Sequence, residues 1–257
     1  RDRYYPVSNS QKRLWLECQF EGANVAYNLP EAFELNGPLN IPALKSAVQK
    51  LVQRHDSLRT VFLEKDGIPF QKVLPADGFK FSFSKEDFSG KQSADELVKA
   101  RVEEVVKKPF DLDNGPLINV LLVKVKTGQF VFVFNVHHIV SDGWSAEVMM
   151  QEITGYYNDY INGSFTASKP LRIQYKDFSY WQKQQLASPG IASQRKYWLD
   201  IFQNGAPILE LPADKTRPQT KSHNGETLHF AISPKMTEGI NRFCKNEDVT
   251  LFMFLLA

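Results

Sequence analysis

The segment His137-His138-Ile139-Val140-Ser141-Asp142-Gly143 sets two of the chain's five histidines side by side, with an Asp-Gly pair three residues after them. Histidine is the side chain that gains or loses a proton near neutral pH without help, so it suits general acid–base work. Asp142 is placed to cap a following helix or to bind a cation. Gly143 permits close backbone approach or a positive φ. A metal centre has little support: neighbouring histidines on a strand diverge, and no HExxH or carboxylate partner stands nearby. No G-x-S-x-G elbow is present to suggest a serine nucleophile. The two cysteines, Cys18 and Cys244, lie far apart and form no zinc or redox motif.

Something rigid must hold such a pair. Gln129 to Val136 reads QFVFVFNV, with Phe130, Phe132 and Phe134 on one side and Val131 and Val133 on the other. Both faces are apolar, which predicts an interior strand covered on both sides. The histidines then fall where this strand ends and a helix running to about Tyr160 begins, with Met149, Ile153, Tyr156, Tyr157 and Tyr160 as its buried stripe. Only one of the two histidines can face a given cavity, and the other must be packed and hydrogen-bonded.

The surrounding pattern is mixed α and β. Asn40 to His55 reads as a helix capped by Asn40, with Pro42 in its first turn. Leu58 to Leu63 and Phe70 to Leu74 read as strands turned at Asp66-Gly67, and Ile118 to Val125 precedes the histidine strand across Thr127-Gly128. Ser93 to Lys107 reads as a helix opened by a capping box at Ser93-Ala94-Asp95-Glu96. Helical segments follow around Tyr175 to Leu186 and Ser193 to Asn204. A loop carrying Pro207, Pro212 and Pro218 then leads to an expected strand at Thr227 to Ile232. Helices open at Ser233-Pro234 and at Thr250. The last of these, Leu251 to Leu256, is wholly apolar with nothing after it to cover it, which predicts a fragment of a longer chain.

Charge narrows the function classes. The 31 basic and 29 acidic residues give a net charge of +2 and are interspersed, so no basic face for nucleic acid is indicated. No signal peptide or membrane-spanning window appears, and reduced cysteines fit a cytoplasmic protein.

Four segments together resemble one family. HHIVSDGW is similar to the HHxxxDG signature of nonribosomal peptide synthetase condensation domains, in the chloramphenicol-acetyltransferase-like superfamily. Ser8-Asn9-Ser10-Gln11-Lys12-Arg13-Leu14-Trp15 resembles the opening motif S-x-A-Q-x-R-L-W, with Ser10 where alanine is commoner. Arg54-His55-Asp56-Ser57-Leu58-Arg59-Thr60-Val61-Phe62 resembles RHExLRTxF, with Asp56 for glutamate. Tyr175-Lys176-Asp177-Phe178-Ser179-Tyr180-Trp181 resembles YxDFAxW. The four occur in the family's order.

The resemblance implies an α/β two-layer sandwich: a condensation lobe over residues 1–170, crossover helices and linker over 171–225, and the start of a truncated second lobe over 226–257. It implies an amide-bond-forming acyltransferase. A donor acyl or peptidyl thioester meets an acceptor aminoacyl group, both carried on phosphopantetheine arms of donor and acceptor peptidyl carrier proteins. No cofactor or metal is held directly, and an adenylation domain stands adjacent in the parent chain. His138 is the expected catalytic residue, as proton acceptor or as holder of the amine, and a Gly143 N–H is expected to meet the oxyanion. His137, Asp142 and Arg59 are expected to support the site, with Asp142 and Arg59 as an ion pair. Trp144 and Ser145 are candidates for the tunnel wall, and His138 is expected at the open edge of the first lobe. The alternatives are a coenzyme A-dependent acyltransferase of the same superfamily and an idle domain that only binds carriers.

Overall fold

A computed structural model describes residues 4–20, 22–164, 169–210, 212–216, 225, 226, 228 and 230–257. The chain divides into two compact units, Arg1–Ala213 and Asp214–Ala257. The first unit runs through β1 (Tyr4–Pro6), α1 (Asn9–Glu17), α2 (Ala23–Ala26), β2 (Asn28–Asn36), α3 (Ile41–Arg54), β3 (Thr60–Lys65), β4 (Ile68–Val73), β5 (Ser82–Asp87) and α4 (Ala94–Val106). It continues with β6 (Ile118–Lys126), β7 (Gln129–His137), α5 (Gly143–Ile161), α6 (Tyr175–Leu186) and α7 (Ala192–Ile201).

The larger sheet has the order β2-β7-β6-β5, which makes β7 an interior strand. It is antiparallel to β2 and β6, while β5 joins β6 in parallel across the α4 crossover. On one face, Phe132, Phe134 and Val136 meet Leu44, Val48, Leu51 and Val52 of α3 and Met149 and Ile153 of α5. On the other, Val133, Leu121 and Val123 meet Val98 of α4. Alternation along β7 thus feeds two apolar clusters, and the chain forms an α/β sandwich. A second sheet, β1-β4-β3, carries a tight hairpin. Asp66 and Gly67 both take positive φ there, 54° and 75°, the conformation whose twist suits a two-residue hairpin turn.

Some elements differ from expectation for identifiable reasons. β2 contains Pro30, which argues against a central strand; it lies at the sheet edge, where the missing N–H costs nothing. The strand expected from Leu58 starts instead at Thr60, because Asp56–Arg59 forms a 3-10 turn. The capping box expected at Ser93 is not formed: Ser93 has φ 56° and its side chain makes no cap hydrogen bond. Asp95 and Glu96 still place negative charge in that helix's first turn.

In the second unit, α8 (Pro234–Asn246) is capped by Ser233 with Pro234 in the first turn, and α9 (Leu251–Leu256) by Thr250. Phe243 and Phe254 meet edge to face at 5.6 Å. Phe252 and Leu256 remain exposed. Leu228 and Phe230 to Ile232 are not in a strand, contrary to expectation; Thr227, His229, His223 and Pro218 lie outside the described residues. Among the described residues no helix is long and apolar enough to cross a membrane. No group of three or more His, Cys, Asp or Glu among them could hold a metal.

Candidate active site

The two histidines leave β7 in opposite senses. His137 is fully buried, with Tyr27 and Phe110 around its ring. Its Nδ1 accepts from the Ile139 N–H at 3.1 Å, so the neutral ring carries its proton on Nε2, which lies 3.6 Å from Cys18 Sγ. Burial, reinforced by neighbouring His138, pulls its pKa from the ordinary 6.5 down to about 4. Burial likewise pushes the Cys18 thiol up to about 11, with Glu17 adding to the shift, so Cys18 stays protonated.

His138 is half-buried. Its backbone N–H donates to the Tyr27 carbonyl at 2.8 Å, which extends the β2–β7 ladder by one step. Its Nδ1 lies 2.7 Å from the Ser141 carbonyl. A carbonyl only accepts, so Nδ1 must carry a proton, and in the neutral ring the lone pair is then on Nε2. Among the described residues Nε2 has no hydrogen-bond partner.

Asp142 caps α5: its Oδ1 accepts from the Ser145 N–H at 2.8 Å and the Ser145 hydroxyl at 2.6 Å. These bonds, the hydroxyl's first, hold its carboxyl below the usual range, and His138 adds a smaller push. The amides of Gly143 and Trp144 make no hydrogen bond among the described residues, leaving two donors at the positive end of a 19-residue helix. Gly143 does not take a positive φ, and a Cβ placed on it would meet nothing within 4 Å. Trp144 is 77% exposed and so is not a core residue.

The likeness to known proteins spans the chain. The family profile described as Condensation domain matches residues 1–257. The chain belongs to the condensation domain family. It is 36% identical over 254 residues to gramicidin S synthase 2 of Brevibacillus brevis, covering 99% of this chain and 5% of that protein. It is 37% identical over 257 residues to bacitracin synthase 3 of Bacillus licheniformis, covering 99% of this chain and 4% of that protein. Similar folds include the first condensation domain of the calcium-dependent antibiotic synthetase, with TM-score 0.76 and 20% identity, over 96% of this chain and 57% of that one. Another is the starter condensation domain of the rhizomide synthetase, with TM-score 0.71 and 22% identity, over 79% and 49%. The chain therefore spans a small part of its curated relatives and about half of these solved chains.

The other three condensation-domain motifs converge on this site's scaffold. Ser8 and Gln11 form a capping box on α1, and Gln11 Nε2 reaches the Ile139 carbonyl at 3.4 Å. Ser8 Oγ meets Tyr175 OH at 2.9 Å. Asp56 is bridged by Lys176 and by Arg59. Arg54 and His55 both grip Glu152 of α5, at 3.0 and 2.9 Å. Glu152, Cys18 and Tyr27 were not legible as site supports, since each meets partners far away in the sequence.

The expected Arg59–Asp142 ion pair is absent, and this corrects the sequence reading. Buried Arg59 donates to the carbonyls of Val52 at 2.9 Å, Gln53 at 3.3 Å and Leu74, and to Asp56 Oδ1 at 2.6 Å. With the end of α3 and the residue after β4 supplying acceptors so close, four of its five N–H donors are used locally, and Asp142 is held at α5 by Ser145.

The depressed pKa of His137 makes stability acid-sensitive. A base whose folded pKa lies below its unfolded value favours the fold when neutral, so its contribution is complete above about pH 6.5. It is lost progressively as pH falls toward about 4. The span corresponds to about 3 kcal/mol. In denaturant unfolding, the stability gap between wild type and His137→Gln should change by about that amount between pH 7 and pH 4. A gap constant across that range would contradict the assignment.

Proposed function

We propose that this chain forms part of an enzyme that joins a donor acyl or peptidyl thioester to an acceptor amino group, both presented on phosphopantetheine arms of carrier proteins. The carrying observation is the 2.7 Å contact between His138 Nδ1 and the Ser141 carbonyl, which in the neutral ring leaves Nε2 as a bare acceptor on a half-buried side chain. The amine attacks the thioester carbon, the C–N bond forms, and the C–S bond breaks. Nε2 takes the proton the amine loses, and that proton passes to the departing arm's sulfur to give a thiol. The free amides of Gly143 and Trp144 are the donors we assign to the oxyanion. Exposed Trp144 is assigned to the tunnel wall. Ser145 and Asp142 hold the helix start, His137 anchors the turn, and Arg59 braces α3 against β4.

Residues 1–170 are assigned to the first lobe, 171–225 to the crossover and 226–257 to the beginning of a second. The boundary between the two compact units, at Ala213 and Asp214, falls inside the stretch assigned to the crossover. The two relatives named above are synthases many times longer than the chain, which supports further domains in the same protein, and to these we assign the carrier and adenylation partners. The deciding experiment supplies the complete protein with separately loaded donor and acceptor carriers and follows the acyl group by mass spectrometry. The expected product is the extended chain on the acceptor carrier. Transfer from acyl coenzyme A but not from the carrier, or carrier binding without transfer, would overturn the proposal.

A further inference from the structure

We propose that Gln11 is a positioning residue for His138; this rests on the role given to His138 above. The backbone around His138 is fixed at successive points. Its N–H goes to Tyr27, and the next residue is held at both of its backbone groups, in two successive peptides: the Ile139 N–H by His137 Nδ1 and the Ile139 carbonyl by Gln11 Nε2. The Ile139 side chain is also buried in the main core. The turn that follows delivers the Ser141 carbonyl to His138 Nδ1, so a shift of the Ile139 peptide moves the group that selects the tautomer.

Gln11 suits this task because both ends of its amide are committed. It is 3% exposed, so water does not compete for it. Oε1 accepts from the Ser8 N–H at 3.0 Å and lies 3.5 Å from the Ser179 hydroxyl, which has the Tyr175 carbonyl closer at 3.1 Å, while Nε2 points at Ile139. The oxygen end holds the side chain to the start of α1, and the nitrogen end serves the loop. Glutamate has the same shape and can keep the capping box, but its carboxylate offers no donor to Ile139.

Gln11→Glu therefore separates capping from positioning, and Gln11→Met removes both. In the complete protein, using loaded carriers as substrates, both variants should lower kcat on the order of 10- to 100-fold. KM for each carrier should stay within about twofold of wild type, since Gln11 touches no substrate. Wild-type kcat in Gln11→Glu would overturn the proposal and leave Gln11 a helix cap. A loss that merely follows the unfolded fraction, measured by thermal denaturation, would also overturn it. His138→Ala assayed alongside keeps the two ideas apart: full activity there would sink the role of His138 itself.

Discussion

His138→Ala should lower carrier-to-carrier amide formation by about 10²- to 10⁴-fold, the range for losing a positioned general base. The fold should survive, because the half-exposed ring makes one structural hydrogen bond, to the Ser141 carbonyl. Losing it costs about 1 kcal/mol. His138→Asn is the sharper companion. Its amide can still donate toward Ser141, yet it has no basic nitrogen, so it should be nearly as inactive as the alanine variant. Rates measured under single turnover, with circular dichroism confirming the fold, check both. A folded His138→Asn enzyme with wild-type rate would show that holding the turn suffices and that proton transfer does not pass through this ring.

Arg59→Ala should destabilise the protein by about 3–5 kcal/mol, the cost of removing one member of a buried charge network. Three carbonyls at the end of α3 and after β4 lose their donor, and Asp56 keeps only Lys176. Asp142→Ala should cost about 1 kcal/mol, as for loss of a helix cap. Since the two side chains do not touch, the double variant should equal the sum within about 0.5 kcal/mol. Denaturant unfolding of the four proteins settles this; a coupling well above that margin would restore a direct link between the two residues.

Periodicity made the site's platform legible. QFVFVFNV announced a strand buried on both faces, and β7 is interior, with α3 and α5 on one side and α4 on the other. The alternating geometry of a strand also required the two histidines to differ, and one is sealed while the other is half-exposed. Side-chain partners chosen across the fold were not legible. Arg59 and Asp142 are opposite charges in two motifs, but nearer carbonyls satisfied the arginine first. Gln11 stood out only as a position in the opening motif, because its contact with Ile139 lies 128 positions away. β2 escaped notice because a proline obscures a strand unless its place at the edge is already known.

The cross-links among motifs set a rule for recombining such enzymes. Ser8 with Tyr175, Asn9 with Gln182, Arg54 with Gln174, and Asp56 with Lys176 tie the first 56 residues to a helix more than a hundred positions later. A hybrid joined anywhere between these segments would mate each half with a stranger's side chains. Asp56 makes the point: it is one methylene shorter than the glutamate of the motif it resembles, and Lys176 reaches across to meet it. Grafts that carry Ser8 through Gln182 as one block keep every such pair, and crossover points belong outside it.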